Sequence, residues 1–175
     1  NWLSEMSHPD EDISFFNDSA METSLKPKFL ERYSKKLLFS QTKKNKKISH
    51  LKDSGYVVIN NEKFKLICDV GEIGCKYTPG HGHADILSFE LSVLKKRLIV
   101  NSGTSIYGNS KLRIDQRKTK SHNTIEINNR DSSEIWSGFR VGRRASPYEV
   151  SIKENEVKGS YKSYQKIINP YKHER

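Results

Sequence analysis

From Lys52 onward the chain is a succession of short β-type segments divided by polar turns, and no long amphipathic helix interrupts it. Tyr56-Val57-Val58-Ile59 and Phe64-Lys65-Leu66-Ile67-Cys68 flank Asn60-Asn61-Glu62-Lys63, which reads as a hairpin turn. Ile86 to Val93 and Arg97 to Val100 flank a second turn at Leu94-Lys95-Lys96. His122 to Ile127 alternates cleanly and stops at Asn128-Asn129-Arg130-Asp131, which predicts a further strand. Tyr148 to Lys153 and Val157 to Tyr164 enclose Glu154-Asn155-Glu156, another hairpin, and alternation resumes at Tyr171 to Arg175. Many short strands with polar turns imply an antiparallel sandwich or a barrel-like sheet. A hydrophobic fraction of 34% suits strands with one wet face better than a helical bundle.

The first fifty residues read differently. Asn1 to Met6 looks like the last turn of a helix, and Ser7-His8-Pro9-Asp10 ends it because a residue before proline disfavours helix. Ile13-Ser14-Phe15-Phe16 predicts a short strand closed by Asn17-Asp18, and residues 21–40 a loop with one helical segment. Lys43-Lys44-Asn45-Lys46-Lys47 is a charge run, either a solvated loop or an anion-steering patch. No internal repeat is evident. Both ends read as cut from a longer protein.

A length of 175 residues allows one domain with a real core. The net charge of +10 suits a polyanion, whether nucleic acid, anionic lipid or acidic polysaccharide, and composition does not choose among them. Nucleic acid is disfavoured, since the basic residues are not interleaved with aromatics in any known motif. No apolar run is long enough to span a membrane. Cys68 and Cys75 fit neither a metal nor a redox pattern, and read as a disulfide or as two buried thiols.

The densest chemistry lies in Pro79-Gly80-His81-Gly82-His83-Ala84-Asp85. Histidines two apart put both imidazoles on one face of an extended strand. The flanking glycines let a backbone or ligand come close. Such a pair serves a metal ion or an anionic substrate; the plain alternative is a turn with two solvated histidines.

Gly80-His81-Gly82-His83-Ala84-Asp85, Asn101-Ser102-Gly103-Thr104, Tyr107, Arg117 and Ser121-His122-Asn123-Thr124, taken in order, resemble the heparinase II/III-like family of polysaccharide lyases. The likeness extends through Ser133-Glu134-Ile135-Trp136 and Phe139 to Ala145, with upstream support from His8-Pro9-Asp10 and Phe16-Asn17-Asp18-Ser19. The resemblance implies a mainly β fold. Residues 21–175 would be an antiparallel, supersandwich-like β-sandwich, truncated at its C-terminus. Residues 1–20 would be a linker carrying a short helical remnant of a preceding α/α toroid domain.

It also implies an activity. Family members bind an anionic polysaccharide in the cleft between toroid and sandwich and cleave uronic-acid chains by β-elimination. The resemblance places such an enzyme in the bacterial periplasm or outside the cell. The catalytic tyrosine and its asparagine or histidine partner belong to the toroid, so this stretch alone is expected to be inactive. By the same analogy His81 is catalytic and faces the cleft, while Tyr107 and Arg117 contact substrate. Tyr107 packing in the sheet and Arg117 serving as a structural ion-pair partner are the alternatives.

His83, Asn101 and His122 match a buried zinc site in the family pattern. Two neutral imidazoles and an oxygen ligand suit zinc, but Asn101 stands where the family has aspartate, and a neutral amide is the weaker ligand. The alternative is a hydrogen-bonded network holding the strands in register. Asp85 reads as structural. A non-catalytic carbohydrate-binding or structural sandwich is the rival to the lyase reading.

Overall fold

The computed structural model describes residues 2–37, 47–162 and 171–175. Most of the Lys43–Lys47 charge run lies outside them. The order of elements is α1 (Trp2–Met6), α2 (Pro27–Lys36), β1 (Ile48–Leu51), β2 (Tyr56–Asn60), β3 (Phe64–Asp69), β4 (Phe89–Val93), β5 (Lys96–Ile99), α3 (Lys111–Arg117), β6 (Ile135–Ser137), β7 (Arg140–Val141), β8 (Pro147–Lys153), β9 (Glu156–Lys162) and β10 (Lys172–Glu174). β1 to β5 form one antiparallel sheet in sequence order. β10-β9-β8 form a second sheet, and β6-β7 a two-stranded hairpin. This is the sandwich architecture expected from the strand pattern.

Alternation in β2 and β3 decides where the core sits. Val57 points to a cluster with Val70, Ile73, Ile86, Leu87, Ala145 and Tyr161, which joins the large sheet to the β8–β10 sheet. Tyr56, Val58 and Ile67 point the other way, onto Met6 and Phe16. Strands with one wet face were expected, but in β2 four consecutive residues are buried. The reason is the N-terminal segment, which covers the second face. It is also pinned by polar groups. Buried His8 meets Ser92 Oγ through Nδ1 at 2.7 Å and Glu90 Oε2 through Nε2 at 2.6 Å.

Three local expectations are corrected. Ile13–Phe16 is not a strand: only an isolated bridge from Ser7 to Ile13 forms there, because Glu90 Oε1 takes the Phe15 N–H at 3.0 Å. His122–Ile127 is not a strand either. Asn123 Nδ2 donates to the Phe89 carbonyl at 3.0 Å and Thr124 Oγ1 to the Ile86 carbonyl at 2.8 Å. These side chains take the partners a neighbouring strand would otherwise supply. The alternation there does not track burial, since Ile125 is exposed. Finally, Cys68 and Cys75 are free thiols, and Cys75 is exposed, so neither cysteine expectation holds. Burial pushes the Cys68 thiol up to about 12.

The hairpins were placed closely. Leu94 and Lys95 link β4 to β5 with positive φ at both residues, 47° and 66°. That is the two-residue turn whose twist matches its strands, here without the usual Asn-Gly.

Candidate functional site

Residues 70–88 leave β3 and return to β4 as an irregular loop, in which Pro79–His81 form a single 3-10 turn. His81 and His83 are therefore not on a strand. They nevertheless converge, because both reach the Asp18 carboxylate from the N-terminal segment. His81 Nδ1 lies 2.6 Å from Oδ2 and His83 Nε2 lies 2.8 Å from Oδ1. Arg113, fully buried on α3, closes a two-pronged pair on the same carboxylate, with NH2 2.8 Å from Oδ2 and NH1 on Oδ1. Thr104 Oγ1 adds a bond to Oδ1 at 3.0 Å. Burial alone would raise the Asp18 pKa, but the bonds from His83, Arg113 and His81 hold it well below the usual carboxylate range. Asp18 is thus an anion, and each histidine nitrogen facing it donates.

The two histidines then diverge in exposure. The His81 side chain is 70% exposed, and that of His83 is fully buried. With Nδ1–H held by Asp18, His81 presents Nε2 to solvent. Its ring sits in an aromatic corner. Phe139 meets it edge-on at 5.9 Å and Tyr107 at 6.5 Å, and these two rings stack on each other at 5.9 Å. The Arg113 guanidinium lies 5.3 Å from the Tyr107 ring centroid and 5.2 Å from that of Phe139. Tyr107 is about half exposed and lines this surface, so it does not pack into the sheet.

Arg117 is placed differently from the expectation. It is fully buried, with Nε and NH2 donating to the Gly82 carbonyl at 3.2 and 2.7 Å and NH1 to the Ser137 carbonyl at 2.6 Å. Its donors are spent on backbone, so in this structure it ties the His81 loop to the β6–β7 hairpin and does not line the open surface. Among the described residues no carboxylate lies within ion-pair distance of it either. Arg113 and Arg117 stand four apart on α3, so one helix face carries both anchors.

Behind this surface His83 Nδ1 faces His122 Nε2 at 3.2 Å. Two nitrogens bound to one tetrahedral zinc at about 2.0–2.1 Å lie about 3.3–3.4 Å apart, so this spacing is close to a ligand pair. Burial pushes His83 down, and burial plus the neighbouring His83 push His122 down to about 3, so both are neutral, as ligands must be. Asn101 Oδ1 accepts the Asn123 N–H at 3.0 Å and keeps a second lone pair, while Asn101 Nδ2 and His122 Nδ1 are buried without a hydrogen-bond partner among the described residues. Asp18 on the far nitrogen of His83 completes a carboxylate–histidine arrangement of the kind that orients metal ligands. Among the described residues no three histidine, cysteine or carboxylate side chains gather in a metal-binding cluster.

Sequence reasoning assigned no role to Asp18 or Arg113. Nothing in the spacing tells that residue 18 reaches residue 81. The four-residue spacing of Arg113 and Arg117 was the one usable signal.

No curated protein matches the chain significantly. Among solved structures, the heparan sulfate lyase HepC from Pedobacter heparinus superimposes with a TM-score of 0.68 at 16% identity, over 99% of this chain and 29% of that one. A heparinase III, the BT4657 gene product, gives 0.68 at 17% identity, over 98% of this chain and 28% of that one. At such identity these matches show a shared fold, and the chain spans less than a third of the proteins it matches. A family model does match the sequence itself, the heparinase II/III-like C-terminal model, over residues 43–175. The chain therefore belongs to the heparinase II/III-like family and carries its C-terminal β-sandwich domain.

Proposed function

We propose that this domain forms one wall of the substrate cleft of a lyase that cleaves uronic-acid polysaccharides by β-elimination, the other wall being an α/α toroid domain of the parent chain. The observation that carries the reading is the Asp18–His81 bond, which fixes one histidine tautomer with Nε2 outward on an exposed aromatic corner. Residues 1–20 serve as the linker between domains, held fast because Met6, His8 and Phe16 are buried against the sheet.

In this reaction a base removes the proton from the carbon bearing the uronate carboxylate. That electron pair forms the new carbon–carbon double bond, the adjacent glycosidic bond breaks, and an acid protonates the departing oxygen. Proton removal builds a second negative charge beside the carboxylate, and donors aimed at that group lower the barrier. His81 Nε2 faces the surface where that carboxylate would sit, and Tyr107 borders the same surface. Arg117 acts at one remove, by holding the Gly82 carbonyl next to His81. The base and acid come from the toroid, and the enzyme works in the bacterial periplasm or outside the cell, where such polymers are met.

Zinc, held by His83, Asn101 and His122, would act structurally, tying the His81 loop to the segments that carry Asn101 and His122. The net charge of +10 suits an anionic polymer.

The test is His81→Ala in the full-length parent, assayed by absorbance of the unsaturated uronate product with heparan sulfate, hyaluronan and alginate. Turnover should fall roughly 100-fold or more while the protein stays folded. Full turnover in the folded variant rules the assignment out and leaves a non-catalytic carbohydrate-binding wall as the better account.

A further inference from the structure

We propose that Trp136 and Arg140 form a separate binding subsite for an anionic sugar ring, next to the His81 surface on the same hairpin. The proposal rests on the reading of this face as a polysaccharide cleft.

The β6–β7 hairpin is tightly held. Arg113 Nε donates to the Gly138 carbonyl at 2.9 Å and Arg117 NH1 to that of Ser137 at 2.6 Å. Asn109 Oδ1 accepts from Ser137 Oγ at 3.2 Å and from the Gly138 N–H at 3.3 Å. Gly138 lies flat on the backbone of the Tyr107–Asn109 loop: a methyl group there would come 1.8 Å from the Gly108 carbonyl oxygen. The hairpin tip is thus locked to α3 and to the Tyr107 loop, and its backbone is fixed before any ligand arrives. Such preorganisation reduces the entropy lost on binding.

On this fixed frame Ile135 turns inward and is buried, while Trp136 turns outward and is 62% exposed. A large indole held in water beside a guanidinium offers a ligand a flat apolar face and a charge together. The Arg140 guanidinium lies 6.0 Å from its ring centroid. Arg140 is exposed, and its guanidinium has no carboxylate partner among the described residues. Its neighbour Phe139 belongs to the His81 corner. One short hairpin therefore carries both the indole and a ring of the imidazole corner.

The chemistry selects the occupant. A pyranose ring presents a flat face of C–H bonds that packs on an indole, and the guanidinium beside it takes a carboxylate or sulfate on the same ring. A neutral sugar would satisfy the indole and leave the charge unused. A nucleobase could stack as well, so oligonucleotide binding is the competing outcome.

The experiment uses the chain itself. Trp2 is the only other tryptophan, so Trp2→Phe leaves Trp136 as the sole reporter. Its fluorescence is followed while hexasaccharides of heparan sulfate, hyaluronan and alginate are added, with dextran and a single-stranded oligonucleotide as controls. At least one anionic hexasaccharide should change the emission. In calorimetry Trp136→Ala and Arg140→Gln should each weaken that binding about tenfold, and Trp136→Phe should keep most of it. Unchanged emission with all three, binding that ignores both substitutions, or tighter binding of the oligonucleotide overturns the proposal. Loss of turnover in His81→Ala with intact Trp136 emission changes separates the subsite from the catalytic assignment. The converse pattern, a dispensable His81 with a working subsite, sinks the lyase reading and leaves the subsite standing.

Discussion

Asp18 and His81 stand 63 residues apart in sequence, yet Asp18 Oδ2 and His81 Nδ1 are 2.6 Å apart in space. The same carboxylate holds buried His83 and the buried guanidinium of Arg113. One side chain from the N-terminal segment thus sets the angle of an exposed imidazole and neutralises a buried cation.

Asp18→Asn is expected to destabilise the chain by about 3 kcal/mol or more, the scale for breaking a buried pair and leaving its charge behind. Urea denaturation measures this. Nitrogen-15 shifts of His81 supply a second readout. The wild type should show a protonated Nδ1 and a bare Nε2, and the variant a mixture of tautomers. A variant as stable as the wild type, with the same His81 tautomer, would show that Asp18 positions nothing.

Arg117 separates a substrate contact from an anchor. Each hydrogen bond from a charged donor contributes about 1.5–3 kcal/mol, and removing this one orphans the Gly82 and Ser137 carbonyls. Arg117→Ala should therefore lower stability by about 3 kcal/mol or more and loosen the His81 loop, visible as faster amide exchange at residues 80–83. If the variant instead folds as stably as the wild type and loses only oligosaccharide affinity, Arg117 contacts substrate after all.

The strands and hairpins were legible because period-two burial writes itself into sequence over five or six residues, as in Phe64–Asp69. The His122–Ile127 segment shows the limit. Its alternation is real, but Asn123 and Thr124 satisfy loop carbonyls, so no ladder forms. His81 and Tyr107 were legible as cleft residues through the ordered motifs, whereas the motif Phe16-Asn17-Asp18-Ser19 gave no sign of what the Asp18 carboxylate meets. A single carboxylate contributes no periodicity, and its partners lie on segments that only the fold brings together. Arg117 misled for a related reason: an arginine beside a cleft motif reads as a ligand for anions, and only burial reveals that backbone carbonyls consume its donors.

The His83–His122 pair makes a prediction for zinc. Protein purified without chelator should contain close to one equivalent of metal by elemental analysis. Chelation should lower Tm, since a ligand bound only by the folded state stabilises it. Asn101→Asp should bind zinc more tightly, because a carboxylate adds a charge that the amide lacks. Metal well below one equivalent with no response of Tm to added zinc would assign the pair to a hydrogen-bonded network.

Asp69 and Asp85 give a pH signature away from the cleft. Both are buried, burial raises both pKa values above the ordinary carboxylate range, and the Asp85 charge raises that of Asp69 further. A carboxyl with a raised folded pKa binds its proton more tightly in the native state. Its stabilising effect is full below the unfolded pKa of about 3.9 and fades as pH climbs through the raised value. The slope for one proton is at most about 1.4 kcal/mol per pH unit. Asp69→Asn keeps an oxygen for the Gly71 N–H, which Asp69 Oδ1 accepts at 2.9 Å, and removes one titrating group. Relative to wild type, the variant should gain stability steadily between pH 4 and pH 8 in urea titrations at matched ionic strength. Taking the difference between the two proteins cancels the histidines that titrate in the same window. A difference independent of pH, or one falling as pH rises, would mean that the pair does not share its burial cost as the structure implies.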